Sequence, residues 1–215
     1  MAATAAATEH SPEGPVIVVY VNIDWKSSRM YAKLNHHMGL LTNTIKDIVM
    51  KMKPTVICMC EVGETVKPLS EEQMLQVAAT SISAWEDAAT ISACKDVQPR
   101  SMYTTGYPYM TIYNHSHRAP YLFQCSGQKI LHDLYKADGQ ARTAQAFVLS
   151  GPGGVSIDVI NVHAPSGLKI LKDTQRHTLL KNLLQTTSQA RLGLTIGSVP
   201  FLIGGDMNTA PYMMS

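Results

Sequence analysis

The sequence is poor in charge. Lys, Arg, Asp and Glu make up 16% of the 215 residues, against roughly 25% in ordinary soluble domains. The formal net charge is +2 with the eight histidines neutral. A chain so nearly balanced carries no broad basic footprint for nucleic acid, although a local basic rim is compatible with it. Long apolar runs are missing as well. No stretch approaches the roughly 18 residues that a membrane-spanning helix needs, so no span is expected. Cysteine is scarce and unpatterned. Cys58, Cys60, Cys94 and Cys125 show no paired framework, and Cys58-x-Cys60 has no second Cys or His pair at zinc-like spacing. Both are expected to be buried thiols on one face of a strand, in a reducing compartment. Residues 1–15 are rich in Ala and Thr but lack a basic start and an apolar segment. They read as an unordered tail and not as a secretory signal, and a cytoplasmic or nuclear location is expected. No internal repeat occurs, and the length suits one α/β domain over residues 16–215.

What is present is a set of apolar strands that end in polar groups. Val16 to Trp25 is an apolar run that closes on Asn22 and Asp24. Thr55 to Glu61 is another, ending in a carboxylate. Val155 to Pro165 is β-branched and alternating, and it ends in His163 before a Pro-Ser-Gly loop. Phe201-Leu202-Ile203 runs into Gly204-Gly205-Asp206-Met207-Asn208-Thr209. A strand that ends on two glycines can bring its backbone close to a ligand. Asp206 and Asn208, two apart, share a side if the chain stays extended. Taken singly, each has an ordinary account: Glu61 a solvated strand end, His163 a hydrogen-bonded rim histidine, Asn22 a turn residue, Asp206 and Asn208 an Asx turn. Together they place four polar strand ends where active sites of α/β folds lie.

The rest of the pattern supplies the frame. Tyr31, Leu34, Met38, Leu41, Ile45, Ile48 and Met52 recur three or four apart, which predicts an amphipathic helix stopped by Lys53-Pro54. Ser70 and Gln73 form the ends of a capping box, opening a second helix to about Ala89. Strands are expected over 107–113 and 121–124. Residues 142–149 and 155–164 should form an antiparallel hairpin across Gly151-Pro152-Gly153-Gly154. A third helix is expected over 168–189, with Leu179, Leu180, Leu183 and Leu184 facing a core. His36-His37 and His115-Ser116-His117 are expected at the surface. Arg100 and Arg118 read as solvated, while Arg142 is the candidate for a basic rim.

The series Asn22-Ile23-Asp24, Cys60-Glu61-Val62, Asn161-Val162-His163-Ala164-Pro165 and Gly204-Gly205-Asp206-Met207-Asn208-Thr209 resembles the endonuclease/exonuclease/phosphatase (DNase I-like) superfamily. The likeness runs from about Val16 to Pro211, and the Gly-Asp-Met-Asn element is its most specific part. It implies a layered α/β sandwich of two mixed sheets flanked by helices. It implies a Mg2+- or Mn2+-dependent hydrolase, nuclease-like, acting on phosphodiesters with nucleic acid as the first substrate class. Glu61 with Asn22 or Asp24 would hold the metal. Asp206 would orient or deprotonate the attacking water. Asn208 would contact the phosphate, His163 would hydrogen-bond a phosphate oxygen, and Arg142 would bind substrate. Hard oxygen donors of this kind suit Mg2+ or Mn2+ better than zinc.

The superfamily also carries a later Asp-His pair, which does not follow Asn208 in this sequence. The domain is therefore expected to be incomplete at its C-terminal end and to turn over weakly. The alternatives are a catalytically inactive fragment of such an enzyme or of a retroelement endonuclease, and a module that binds phosphate ligands.

Overall fold

The computed structural model describes residues 16–25, 34–64, 67–93, 97–115, 124–137, 140–151, 156–164, 170–188 and 201–207. The expected N-terminal tail, Tyr31, His117, Arg118 and Asn208 lie outside the described residues.

Among the described residues eight strands form two sheets. β1 (Val18–Trp25), β2 (Val56–Val62), β3 (Pro99–Tyr103) and β4 (Tyr109–Asn114) make the first, in the order β1-β2-β4-β3. β5 (Gln124–Ala137), β6 (Gln140–Ser150), β7 (Ser156–His163) and β8 (Phe201–Asp206) make the second, in the order β5-β6-β7-β8. Each sheet has one parallel pair, β1 with β2 and β7 with β8. Parallel neighbours need a crossover. α1 (Leu34–Met52) lies between β1 and β2 in the chain, and α3 (Ile170–Ser188) between β7 and β8. The remaining pairs are antiparallel, including the expected β6–β7 hairpin. The mixed two-sheet sandwich is the one the resemblance implies.

Strand alternation assigns the faces. In β2, Ile57 and Met59 pack with Leu41, Ile45, Met74 and Trp85 from α1 and α2 (Glu71–Ile91). Val56 and Cys58 point the other way, to Phe147, Leu149 and Val159 of the second sheet. In β7, Val159 faces the first sheet, while Ile160 and Val162 face Leu179 and Leu183 of α3. A period of two thus feeds three layers of core from one strand pattern. Cys58 and Cys60 are both fully buried free thiols. Polar ties also cross the sandwich. Thr111 Oγ1 donates to Gln145 Oε1 at 2.8 Å, and the Tyr109 hydroxyl donates to the Thr143 carbonyl at 2.5 Å.

The helices form for local reasons as well. At the start of α2, Ser70 Oγ accepts from the Gln73 amide and Gln73 Oε1 accepts from the Ser70 amide. This is the capping box that the sequence announces. α1 stops at Met52, before Lys53 and the helix-breaking Pro54. Among the described residues no helix is long and apolar enough to cross a membrane.

Three expectations need correction. His115 is not at the surface. It is 8% exposed at the end of β4, with its amide bonded to the Gln98 carbonyl at 2.8 Å and its ring edge-on to Tyr113. Leu184 does not face the core: α3 turns it outward, 49% exposed, while Leu179 and Leu183 are buried. His37 is half-buried against Trp25, while its neighbour His36 is exposed.

One buried acid opposes the fold. Asp158 of β7 is 3% exposed and its Oδ1 has no hydrogen-bond partner. Burial raises its carboxyl above the usual carboxylate range. The native state therefore holds this proton more tightly than the unfolded chain. The stability it contributes is present in full below the unfolded value and lost as pH rises through the native one. Asp158→Asn is expected to stabilise the protein by about 1–2 kcal/mol at neutral pH. The gain should shrink below about pH 4, and urea denaturation at both pH values checks it.

Candidate active site

The C-terminal ends of the two parallel pairs meet at one rim of the sandwich. β1 and β2 approach it from one sheet, β7 and β8 from the other. Asn22 lies on the inner face of β1, two residues past Tyr20. Asp206 lies on the inner face of β8, two past Gly204. Asn22 Nδ2 donates to Asp206 Oδ2 at 2.6 Å across the gap. Asn22 Oδ1 accepts from the Asp24 amide at 2.8 Å, which closes an Asx turn at the end of the strand.

Beside it, His163 Nε2 stands 3.3 Å from Glu61 Oε1. Plain alternation would put Glu61 on the helix face with Ile57 and Met59. The backbone prevents that: Glu61 has φ 54° and Asp24 has φ 49°. Left-handed backbone at a non-glycine residue is uncommon and tends to gather at functional sites. Here it bends both strand ends, and the β1–β2 register shifts between Asn22 and Trp25.

A second tie lies one step deeper. Asn161, two residues before His163 on the same face, is fully buried, and its Nδ2 donates to the Met59 carbonyl at 2.8 Å. Met59 is two residues before Glu61. The tie holds β7 against β2 at the depth that brings His163 to Glu61. The Ala164 amide donates to the Asp206 carbonyl at 2.8 Å, which carries the β7–β8 ladder to the rim.

The electrostatics follow from this crowding. Burial lowers the His163 pKa, and this outweighs the carboxylates of Glu61, Asp206 and Asp24, which act to raise it; Arg142 adds to the lowering. Burial thus disfavours the charged imidazolium form of His163. Arg142 of β6 is half-buried, and its Nε is buried without a hydrogen-bond partner. Cys60 lies beneath Asp206. Burial pushes its thiol up to about 12, against a lowering effect from the Asp206 backbone amide. Such a thiol stays protonated and does not act as a nucleophile.

Of the residues singled out by sequence, the structure brings Asn22, Asp24, Glu61, His163, Asp206 and Arg142 to one rim. Asn208 lies outside the described residues. Asn161 and Cys60 stand in the quoted motifs, but the sequence assigned neither a role at the site. For Asn161 a signal existed: an amide within the β-branched run Val159 to Val162, two positions from the histidine.

No family model matches the sequence, and no curated protein sequence does either. Solved structures do match in fold. TDP2 from C. elegans aligns over 93% of this chain and 50% of its own, with 16% identity and a TM-score of 0.54. An endonuclease/exonuclease/phosphatase family protein from Leptotrichia buccalis aligns over 91% and 67%, with 14% identity and a TM-score of 0.55. The mannosyl-6-phosphatase Bt3783 of Bacteroides thetaiotaomicron aligns over 90% and 66%, with 14% identity and a TM-score of 0.53. The chain thus has the DNase I-like fold of endonuclease/exonuclease/phosphatase proteins. It spans half the length of the worm protein.

Proposed function

We propose that this chain is a divalent-metal-dependent phosphoesterase domain, nuclease-like, that hydrolyses phosphodiesters. The observation that carries the reading is the meeting of Asn22 with Asp206 and of Glu61 with His163 at the joined ends of two parallel strand pairs. The neighbours' names, which include a phosphatase, support the same class of chemistry.

The donor set fits a hard cation. Glu61, Asp24 and Asp206 are oxygen donors, and these three carboxylates surround the His163 imidazole together with the Arg142 guanidinium. The local charge is negative. Among the described residues no three His, Cys, Asp or Glu side chains close around one point. Mg2+ keeps several waters and takes one or two carboxylates from the protein, a number that Glu61 and Asp24 would supply. Asn22 has both amide atoms engaged, which favours Glu61 with Asp24 over Glu61 with Asn22 as the pair that would hold the metal. When bound, the ion neutralises phosphate charge and polarises the phosphoryl group.

The protein's own groups would then act as follows. Asp206, held by the Asn22 amide, accepts a proton from the attacking water. His163 would donate a hydrogen bond to a phosphate oxygen. Arg142 brings a fixed positive charge to the same rim, and Asn208 would add an amide contact to the phosphate. Asn161 and the left-handed turns at Asp24 and Glu61 hold these groups in place, so that little reorganisation is needed when charge develops.

Mg2+ titration followed by thermal unfolding tests the metal. The parent should gain stability with Mg2+, about 2.7 kcal/mol at a hundredfold excess over Kd. Glu61→Gln should gain little. An equal gain in both would remove Glu61 from the metal site. Substrate class is read by assaying plasmid DNA, RNA and bis-p-nitrophenyl phosphate with Mg2+ or Mn2+.

A further inference from the structure

Asp206 and Asn22 are not held by their own hydrogen bond alone. One step below them on the same two strands, Tyr20 of β1 faces Gly204 of β8. A Cβ built at Gly204 would fall on the Tyr20 ring, meeting Cε2, Cζ and Cδ2 together. The ring therefore rests on bare backbone. It is walled by the apolar layer between the sheets, where Val18, Val56, Cys58 and Val159 pack. Its hydroxyl is buried with no hydrogen-bond partner, so the ring is held by shape and not by a polar bond. Tyr20 and Asn22 share the inner face of β1, as Gly204 and Asp206 share that of β8. The separation of the strands at the lower pair thus sets the separation at the upper pair.

We propose that Tyr20 and Gly204 are a positioning pair that fixes how far β8 stands from β1, and so places the Asp206 carboxylate against the Asn22 amide. The consequence for turnover rests on the phosphoesterase reading; the geometric claim does not. A side chain at 204 must push the ring or the strand, because the overlap is with the body of a packed aromatic and not with a flexible tip. An aromatic on a glycine also leaves no slack. A smaller residue at 20 would let β8 settle inward, and a larger one at 204 would lift it. Either way the carboxylate leaves the place from which it accepts the water's proton. Misplacements near 1 Å can cost about 10²-fold in rate.

The test uses the full chain and four variants: Gly204→Ala, Tyr20→Ala, the double variant, and Tyr20→Phe. Two readouts are taken. The first is the Asn22 side-chain amide resonance, which reports the bond to Asp206 whether or not the protein turns over. The second is kcat and KM for bis-p-nitrophenyl phosphate with Mg2+. Gly204→Ala and Tyr20→Ala should each shift the Asn22 signal and lower kcat about 10–100-fold, with KM changed by less than threefold. The double variant, with room for the new methyl, should recover part of both. Tyr20→Phe keeps the ring and should keep the Asn22 signal in place. Should Gly204→Ala not fold, Tyr20→Ala, which adds no bulk, carries the test from the other strand. An unshifted Asn22 signal in Tyr20→Ala, or a double variant no better than Gly204→Ala, overturns the pairing. A Tyr20→Phe signal displaced as far as that of Tyr20→Ala overturns it too, since the hydroxyl would then be the active part. No metal-dependent turnover in the parent, with the Asn22 shifts as expected, overturns the phosphoesterase reading and leaves the pairing standing.

Discussion

Replacing Asp206 with Ala is expected to lower Mg2+-dependent hydrolysis of bis-p-nitrophenyl phosphate about 10²–10⁴-fold, the range for a group that moves a proton in the transition state. The substrate is chosen for its leaving group. p-Nitrophenolate departs without a proton, so the assay isolates attack by water from help given to the departing oxygen. The carboxylate is well placed for attack. It is half-buried at the rim and accepts from Asn22 Nδ2 at 2.6 Å. That bond fixes one carboxylate oxygen at the rim. Loss of the side chain should leave folding almost unchanged, because the strand is carried by the β7–β8 ladder and by the Ala164 amide to the Asp206 carbonyl. The measurement is kcat with Tm recorded alongside. A variant that keeps the parent's rate with an unchanged Tm would remove Asp206 from the chemistry.

The site was legible in the sequence to the extent that it follows strand alternation. Asn22, His163 and Asp206 each stand on the inner face of an apolar strand, at the position where the run ends. A period of two is enough to place them. Glu61 was found by type and position, but its direction was not. Alternation alone turns it toward α1 and α2, and only the left-handed backbone at φ 54° brings it to His163. A local pattern does not announce such a turn in a non-glycine residue. The tie from Asn161 to the Met59 carbonyl spans 102 positions and depends on how the sheets stack, which no window of sequence contains.

The same reasoning explains which strands escaped notice. β5 carries Gln124, Ser126, Gly127, Gln128, Lys129 and His132. It is an edge strand, and its pairing with β6 shifts register between Ser126 and Lys129 and again between Leu131 and Tyr135. Two irregularities break the alternation on which recognition depends. β3 opens with Pro99, a residue that argues against a central strand and is acceptable at an edge, which is where β3 lies. His115 looked solvated because its neighbours in the chain are polar. It is buried by β3 and β4 pairing, through a bond to Gln98 seventeen residues earlier.

The largest loss of stability is expected from Gly205→Ala. Gly205 has φ 129°, a conformation that a residue with a side chain rarely adopts. Space is also lacking. A Cβ at this position would overlap the Val162 carbonyl oxygen and crowd the Val162 nitrogen and carbonyl carbon. Val162 is the direct partner of Gly205 in the parallel β7–β8 register, with His163 opposite Asp206 one residue on. The obstacle is therefore backbone that is already part of a ladder, and no rotamer can relieve it. Either β8 moves away from β7 or the strand rotates, and both break pairing next to the rim. A strained backbone of this kind costs about 1–3 kcal/mol, and the disrupted ladder adds to it. The total should reach about 4 kcal/mol, in the range reserved for named structural lesions. Guanidinium denaturation of parent and variant measures it through the shift in midpoint at unchanged slope. The comparison with Asp206→Ala is informative, since that neighbour should lose turnover and keep its midpoint. A Gly205→Ala protein that unfolds at the parent's midpoint would show that β8 does not sit against Val162 in this way, and with it the placement of Asp206 opposite His163 would fall.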